Sequence, residues 1–151
     1  IRATWDVEGL AILAWALGRF PFPAHDEQVD AYELTDSLAL LSDDAFDILQ
    51  SPELRRADEL DACRELMYAI HCRLREFLRE GAARSISHWI EPDWLRLVGI
   101  ESPLGPQQDL RIGDVEIGQA DKDKVRRCEW AICERHRAIV WLVGEEGPVL
   151  I

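Results

Sequence analysis

The chain has 151 residues, of which 48% are hydrophobic and 30% are charged, and its formal net charge is −12. This composition is typical of one globular domain and excludes a chain that is disordered throughout. The negative charge repels phosphate backbones and anionic lipid headgroups, so we expect neither nucleic acids nor membrane surfaces as partners.

The first predicted element is a buried helix. Residues 4–17 are apolar on nearly every side, and Gly18 with the prolines that follow predicts where the helix ends. The run is shorter than the roughly 20 residues of a membrane span, and acidic rather than basic residues precede it, unlike in a signal peptide. Because the chain opens on Ile1 close to this helical pattern, we interpret residues 1–151 as a single domain from a slightly longer chain.

A strongly acidic stretch follows, in which no Lys or Arg occurs between Phe20 and Leu54. Within it we predict an amphipathic helix over residues 29–41 and a short helix over residues 45–49 that Ser42 caps. The stretch is either a solvated face that keeps the protein soluble or a docking face for a basic partner. In the second case the partner-binding residues are the carboxylates Asp26, Glu27, Asp30, Glu33, Asp43, Asp44 and Asp47.

A long helix is predicted next. Ser51 as the N-cap and Pro52 in the first helical position indicate its start, and it runs to Glu80, before Gly81. Its core-facing positions are Leu60, Cys63, Met67, Ile70, Leu74 and Phe77. The spacing of these residues predicts one apolar stripe along the helix.

Residues 81–108 show no clear period and are expected to be irregular, with one helical turn after Pro92. The segment contains two tryptophans, Trp89 and Trp94. Large aromatic side chains in such a segment either pack it onto the core or form an exposed hot spot for a partner. Both interpretations stay open from the sequence.

The chain closes with a predicted hairpin over residues 109–118, turning at Gly113, and a helix that Asp121 caps and that runs through Val143. The fold class that follows is mainly α: a single-domain helical bundle with one small β-hairpin, whose first, long and last helices form the core. Four tryptophans fall at helix positions that suit this core: Trp5, Trp15, Trp130 and Trp141.

Arg135 is the most unusual residue of the last helix. At ~100° per residue it lies in the middle of an arc of apolar side chains, where a charge is costly unless it is paired. Glu8 is the candidate partner because it lies inside the apolar surface of the first helix. We predict a Glu8–Arg135 ion pair that joins the two helices; in the alternative, Arg135 binds the carboxylate or phosphate of a substrate.

Glu134 and His136 flank Arg135 and are candidates for acid–base chemistry. A carboxylate shielded by Trp130 and Trp141, or a histidine beside Glu129, could serve that role if a cleft exposed it. The plainer interpretation is an interfacial carboxylate and a histidine at the edge of the core. The candidate catalytic residues are therefore Glu8, Glu134, Arg135 and His136.

We predict reduced cysteines, no metal site and no cofactor. Cys63 and Cys72 would share one helix, and Cys128 and Cys133 another, at separations beyond the reach of a disulfide. Only bridges between helices therefore remain possible. Reduced thiols indicate a cytoplasmic protein. Cys133 and His136 have metal-ligand spacing, but His71 and its neighbour Cys72 point ~100° apart on a helix and could not easily complete the site.

Several segments resemble a known family. Residues 3–17 (ATWDVEGLAILAWAL), 109–117 (DLRIGDVEI) and 134–142 (ERHRAIVWL) resemble the bacterial family named domain of unknown function 4272, and residues 65–71 (ELMYAIH) are similar to a further segment. Glu8 and the Glu134-Arg135-His136 run fall on motif positions of that family, whereas Val140 stands where an asparagine is usual. The resemblance implies a mostly helical, cytosolic bacterial protein and no particular reaction.

Two classes of function follow from these patterns. The leading hypothesis is a non-enzymatic protein–protein interaction module, of the immunity or antitoxin kind, whose acidic face meets a basic partner. The alternative is a small enzyme or ligand-binding protein that uses the Glu-Arg-His cluster of the last helix. Because the alternative needs these groups to reach a cavity, an Arg135 that is paired with Glu8 and sealed from solvent counts against it.

Overall fold

The computed structural model describes residues 2–39, 50 and 52–144, with side chains in the first helix described from residue 6 onward. In chain order its elements are α1 (Arg2–Ala16), α2 (Ala31–Ser37), α3 (Ala57–Glu80), α4 (Pro92–Val98), β1 (Arg111–Ile112), β2 (Val115–Glu116) and α5 (Lys122–Val143), with 3₁₀ turns at Ser87–Trp89 and Ile117–Gln119. The mainly α fold with one small hairpin is confirmed. Within these ranges no helix is both long and apolar enough to cross a membrane.

Three helices build the main core, because α1 and α3 both pack along α5. All six positions predicted to face the core on α3 are buried. They meet Ile12 and Trp15 of α1 and Ile132 and Ile139 of α5 in one apolar cluster. The predicted arrangement of first, long and last helices around a shared core is confirmed.

The predicted start of α3 is wrong, since residues 52–56 are not helical and the N-cap is Arg56. Arg55 is held at the end of α1, where its N–H donates to the carbonyl of Ala16 and its Nε to that of Trp15, both at 2.9 Å. The Glu59 carboxylate accepts from the N–H of Arg56 at 3.0 Å and closes a capping box. These contacts of Arg55 and Arg56 set the start of α3, in place of the start at Pro52 that the sequence predicted. The predicted end of α3 is confirmed, since the helix ends at Glu80 and Gly81 is its C-cap in the left-handed conformation.

The acidic helix α2 is shorter than predicted. It ends at Ser37, because Leu38 is its C-cap and Ala39 has a positive φ of 50°. Leu34 and Leu38 are buried and form a small second cluster with alanines of α1. The predicted helix over residues 45–49 and its cap Ser42 lie outside the described residues.

The irregular segment and the hairpin follow the prediction. Trp89 and Trp94 are partly buried and pack against the core, so they hold the segment down. In the hairpin Arg111 pairs with Glu116 and Ile112 with Val115, around Gly113 with φ 64°. Its strands have two residues each, so the paired region is shorter than the predicted 109–118.

The prediction for the tryptophans is wrong at two positions. Trp15 is 1% exposed, but Trp130 is 48% and Trp141 is 73% exposed. Both project from the side of α5 opposite Ile132, so they face away from α1 and α3. The side chain of Trp5 lies outside the described part of the chain.

Candidate functional site

Glu8 and Arg135 form a buried ion pair between α1 and α5. The Nε of Arg135 donates to Glu8 Oε2 at 2.8 Å, and its Nη2 lies 2.6 Å from the same oxygen. Both side chains are at most 1% exposed. The predicted pair is confirmed, and the two charges neutralise each other inside the apolar core.

The remaining donors of Arg135 bind the backbone of the connector between α1 and α2. Its Nη1 donates to the carbonyls of Pro23 at 3.4 Å and Ala24 at 2.7 Å, and its Nη2 donates to that of Glu27 at 2.7 Å. Together with the contacts to Glu8, these bonds place a protein oxygen against every nitrogen of the guanidinium. Arg135 therefore has no donor left for the anion of a substrate.

Glu8 anchors the same connector from the other side. Its Oε1 accepts from the N–H of Val29 at 3.0 Å, while its Oε2 holds Arg135. The ion pair thus fixes the backbone of residues 23–29 at both ends. Hydrogen bonds to buried charged groups are stronger than ordinary ones, so this is a rigid attachment.

An open groove of about 350 Å³ lies over this connector, and we call it the acidic groove. Its apolar wall includes Phe20, Pro21 and Val29. Three carboxylates also line it: Glu27, Asp30 and Glu33. Tyr32, between two of them on α2, is 88% exposed. Apolar and acidic groups therefore meet on one surface.

The predicted acidic residues divide into distinct roles. Glu27 and Glu33 are exposed at the groove, whereas Asp30 also caps α2 by accepting from the N–H of Tyr32 at 2.7 Å. Asp26 does not line the acidic groove; it accepts from the N–H of Gly113 at 2.6 Å and ties the connector to the hairpin. Three further predicted residues lie outside the described ranges: Asp43, Asp44 and Asp47.

Glu134, Arg135 and His136 do not form a cluster, because successive residues of α5 point in different directions. Glu134 pairs with Arg137 at 2.8 Å, and its side chain is 29% exposed. His136 is buried on the side that faces α3. Only Arg135 points between α1 and α5.

His136 joins a second group of polar side chains at the α3–α5 interface. Its ring centroid lies 6.1 Å from that of His71 and 5.7 Å from that of Tyr68, both on α3. The Nε2 of His71 lies 3.1 Å from Glu129 Oε1, and the thiol of Cys133 interacts with the same ring. The Nδ1 atoms of both histidines are buried without a hydrogen-bond partner in the described part of the chain.

The environments of the two histidines shift their pKa values in opposite directions. Burial lowers the pKa of His71, but Cys133 and Glu129 outweigh it and raise the pKa to about 9. Burial, and next the positive charge of His71, lowers the pKa of His136 to about 4. At neutral pH His71 is therefore charged and His136 is neutral. Among the described residues, no three His, Cys, Asp or Glu side chains are placed to hold a metal ion.

A family model described as domain of unknown function (DUF4272) matches residues 1–86, more than half of the chain. The chain belongs to the DUF4272 family. Comparisons with curated proteins and with solved structures gave no match. The DUF4272 match includes Glu8 and the acidic groove, whereas Arg135 and the rest of α5 lie beyond its last residue.

We expect the stability of this DUF4272 protein to fall as the pH drops from 6.5 to 4. The pKa of His136 is about 4 in the folded state against 6.5 for an ordinary histidine, so the unfolded chain binds the extra proton in this range. Because the cluster borders solvent at Tyr68, we expect a loss of about 2 kcal/mol rather than the full conversion of the shift. Urea denaturation at pH 7, 5.5 and 4 measures it.

The matched control for this pH dependence uses two ring substitutions. His136→Phe keeps an aromatic ring beside Tyr68 and should remove about 2 kcal/mol of the acid loss. His88→Phe changes an exposed histidine and should leave the acid loss as it is in the wild type. Equal pH dependence of the wild type and His136→Phe would contradict the assignment.

One buried ion pair had no signal in the sequence. Arg73 of α3 binds Asp109 through two bonds, Nε to Oδ1 at 2.7 Å and Nη2 to Oδ2 at 2.8 Å, and both residues are at most 2% exposed. Burial raises the pKa of Asp109, but the bonds from Arg73 and from the N–H groups of Arg84 and Leu110 outweigh it and hold the pKa below its usual value. Through Asp109 the pair joins α3 to the end of the irregular segment and, by way of the N–H of Arg84, to its start.

Proposed function

We propose that this DUF4272 protein is a non-enzymatic interaction module that binds a basic segment of a partner protein in the acidic groove. The observation that carries the proposal is the groove itself, in which Glu27, Asp30 and Glu33 stand beside apolar side chains. Lys and Arg side chains combine an aliphatic stem with a cationic end, so they match both parts of this surface.

Charge favours this class of partner over others. The chain carries a net charge of −12, and the stretch from Phe20 to Leu54 has no basic residue. Glu27 and Glu33 have no ion-pair partner within the described ranges, so their charge is open to a ligand. Such a field attracts a basic protein and speeds its association, while it repels nucleic acids and anionic membranes.

The buried ion pair supports binding by fixing the groove in advance. Arg135 and Glu8 hold the backbone of residues 23–29 through four hydrogen bonds, to Pro23, Ala24, Glu27 and Val29. A surface that is already ordered pays less conformational entropy on binding. Preformed acidic surfaces of this kind suit proteins of the immunity or antitoxin type, which cover a basic partner, and the free cysteines accord with a cytoplasmic location.

The enzymatic alternative has less support. It needs Arg135 to reach a ligand, yet its guanidinium is 0% exposed and its donors are all bound to protein groups. Glu134 and His136 point away from it, toward solvent and toward α3. We therefore do not propose a reaction for these residues.

The proposal predicts that reversing two groove charges weakens partner capture. In tagged Glu27→Lys/Glu33→Lys protein, a basic partner recovered from the host with the wild type should bind at least tenfold more weakly, because two attractive carboxylates become repulsive. Asp30 stays unchanged because it caps α2. Recovery at low and high salt, followed by titration of the purified pair, measures the effect.

A matched control reverses two exposed carboxylates elsewhere, in Glu91→Lys/Glu101→Lys, and keeps the same net charge as the groove variant. Capture by the control should match the wild type, and the wild-type complex should weaken as salt screens the charges. If both double variants lose the partner equally, recognition rests on overall charge and the acidic groove is not the binding site. If neither loses it, a different surface binds the partner.

A further inference from the structure

Two exposed tryptophans lie on the outer side of α5, which faces away from α1 and α3. Trp130 is 48% exposed and Trp141 is 73% exposed. They are 11 residues apart on the helix, so they lie within ~20° of each other around its axis and ~16 Å apart along it. Large aromatic side chains exposed on the same side of a helix indicate a surface that binds another protein.

Two charged side chains lie between the tryptophans. Glu134 and Arg137 follow Trp130 by 4 and 7 residues, and their side chains are 29% and 48% exposed. The spacing of the four residues is that of a coiled-coil seam, in which steps of four and three residues alternate. We call these four residues the outer stripe: Trp130, Glu134, Arg137 and Trp141.

The outer stripe is complementary to itself in the antiparallel orientation. A two-fold axis through the midpoint of the stripe places Trp130 at the height of Trp141 of a second copy. The same axis places Glu134 at the height of Arg137 of the second copy, so opposite charges meet. In a parallel arrangement each side chain would meet its own counterpart, and like charges would face each other. The charges therefore favour the antiparallel pair.

The size of the stripe and the charge of the chain limit the strength of such a pair. A tryptophan buries roughly 150–250 Å². Because these tryptophans are partly covered already, those of two copies supply at most about half of the roughly 1,200 Å² of a stable interface. The net charge of −12 on each copy also opposes association. We therefore expect a dissociation constant above about 10 μM, so that a dilute sample is monomeric.

We propose that this DUF4272 protein forms a two-fold symmetric dimer in which the outer stripes of two copies pack antiparallel. Trp130 of each copy packs on Trp141 of the other, and Glu134 of each copy pairs with Arg137 of the other. The inference does not rest on the acidic groove, which is lined by residues 20–33 and by no residue of α5.

Sedimentation equilibrium of the full chain, from about 5 to about 500 μM, tests the proposal. Trp130→Gln/Trp141→Gln should raise the dissociation constant at least tenfold. The matched control, Tyr32→Gln/Leu54→Gln, replaces two side chains elsewhere that are 88% and 52% exposed, and it should stay within twofold of the wild type. A wild type that is monomeric throughout would overturn the proposal, and so would an equal loss in both double variants.

Charge reversals test the antiparallel orientation. Glu134→Arg and Arg137→Glu each place like charges opposite one another, so each variant alone should dimerise at least threefold more weakly than the wild type. They shift the net charge in opposite directions, so a loss in both cannot come from overall charge. An equimolar mixture should regain the wild-type affinity, because the arginines of one copy then meet the glutamates of the other. Single variants that dimerise like the wild type would refute this orientation.

Salt separates this dimer from a complex at the acidic groove. Raising the salt from about 0.05 to about 0.5 M should strengthen the dimer, because it screens the repulsion between two copies that each carry a charge of −12. A complex with a basic partner weakens under the same change. Self-association that weakens in salt would show attraction between unlike charges of two copies, and the outer stripe would then not be the contact.

Discussion

Replacing Arg135 by methionine is expected to lower the free energy of unfolding by about 3–5 kcal/mol. The substitution leaves the Glu8 carboxylate buried and unpaired, and it removes the donors that three backbone carbonyls of residues 23–29 now use. An ammonium cannot replace a planar guanidinium that contacts four groups, so Arg135→Lys should lose most of the same stability. Urea denaturation followed by circular dichroism measures both variants.

A double-mutant cycle with Glu8→Gln separates the ion pair from the backbone contacts. If the charges are coupled, the double variant should lose less stability, by at least about 1 kcal/mol, than the sum of the losses of the two single variants. The reason is that the double variant leaves no buried charge without a partner. Arg137→Met is the control, because it removes an exposed ion pair with Glu134 on the same helix. Such surface pairs contribute little, so the free energy of unfolding should change by less than about 0.5 kcal/mol. A loss below about 1 kcal/mol for Arg135→Met would show that the pair does not hold the connector.

The Glu8–Arg135 pair could be predicted because both residues interrupt apolar faces of regular helices. Helical periodicity places a residue on a face with little error, and a buried charge in each of two core helices leaves few possible partners. The prediction failed for Trp130 and Trp141 because it followed their large apolar side chains, although both lie on the side of α5 opposite Ile132, where periodicity indicates solvent.

The geometry of the acidic groove and of the polar group at the α3–α5 interface could not be predicted from the sequence. The sequence indicates the acidic stretch, but the groove exists because Arg135, more than a hundred residues away, binds the carbonyls of the connector. Likewise His71 meets Glu129 and Cys133 only through the register of α3 against α5. Periodicity predicts which face of each helix is buried, but it does not predict the axial register in which two helices pack.

Asp109 is a sharper example, because it is the first residue of the predicted hairpin and its partner Arg73 is not among the positions predicted to face the core on α3. A helix pattern gives no reason to expect an arginine there to be buried rather than to extend to solvent. The carboxylate satisfies two backbone N–H groups as well as the guanidinium, so it acts as the closing point of the irregular segment.

Arg73→Met should therefore lower the free energy of unfolding by about 3–5 kcal/mol, because it strands the Asp109 charge in the core. Asp109→Asn should cost less at neutral pH, since an amide oxygen still accepts one bond, and its loss should shrink in acid. The sign follows from the lowered pKa of Asp109: the contribution of its charge is complete above the ordinary carboxyl pKa and disappears as the pH falls through the folded value.

The measurement is urea denaturation of both variants at pH 7 and pH 3, with Arg75→Met as the control on the exposed side of α3. The control should stay within about 0.5 kcal/mol of the wild type at both values. Since Asp109 also holds the N–H groups of Arg84 and Leu110, hydrogen exchange in the irregular segment should speed up in Asp109→Asn before the helices open. Uniform acceleration across α1, α3 and α5 instead would mean that the pair stabilises the whole core and does not specifically close this segment.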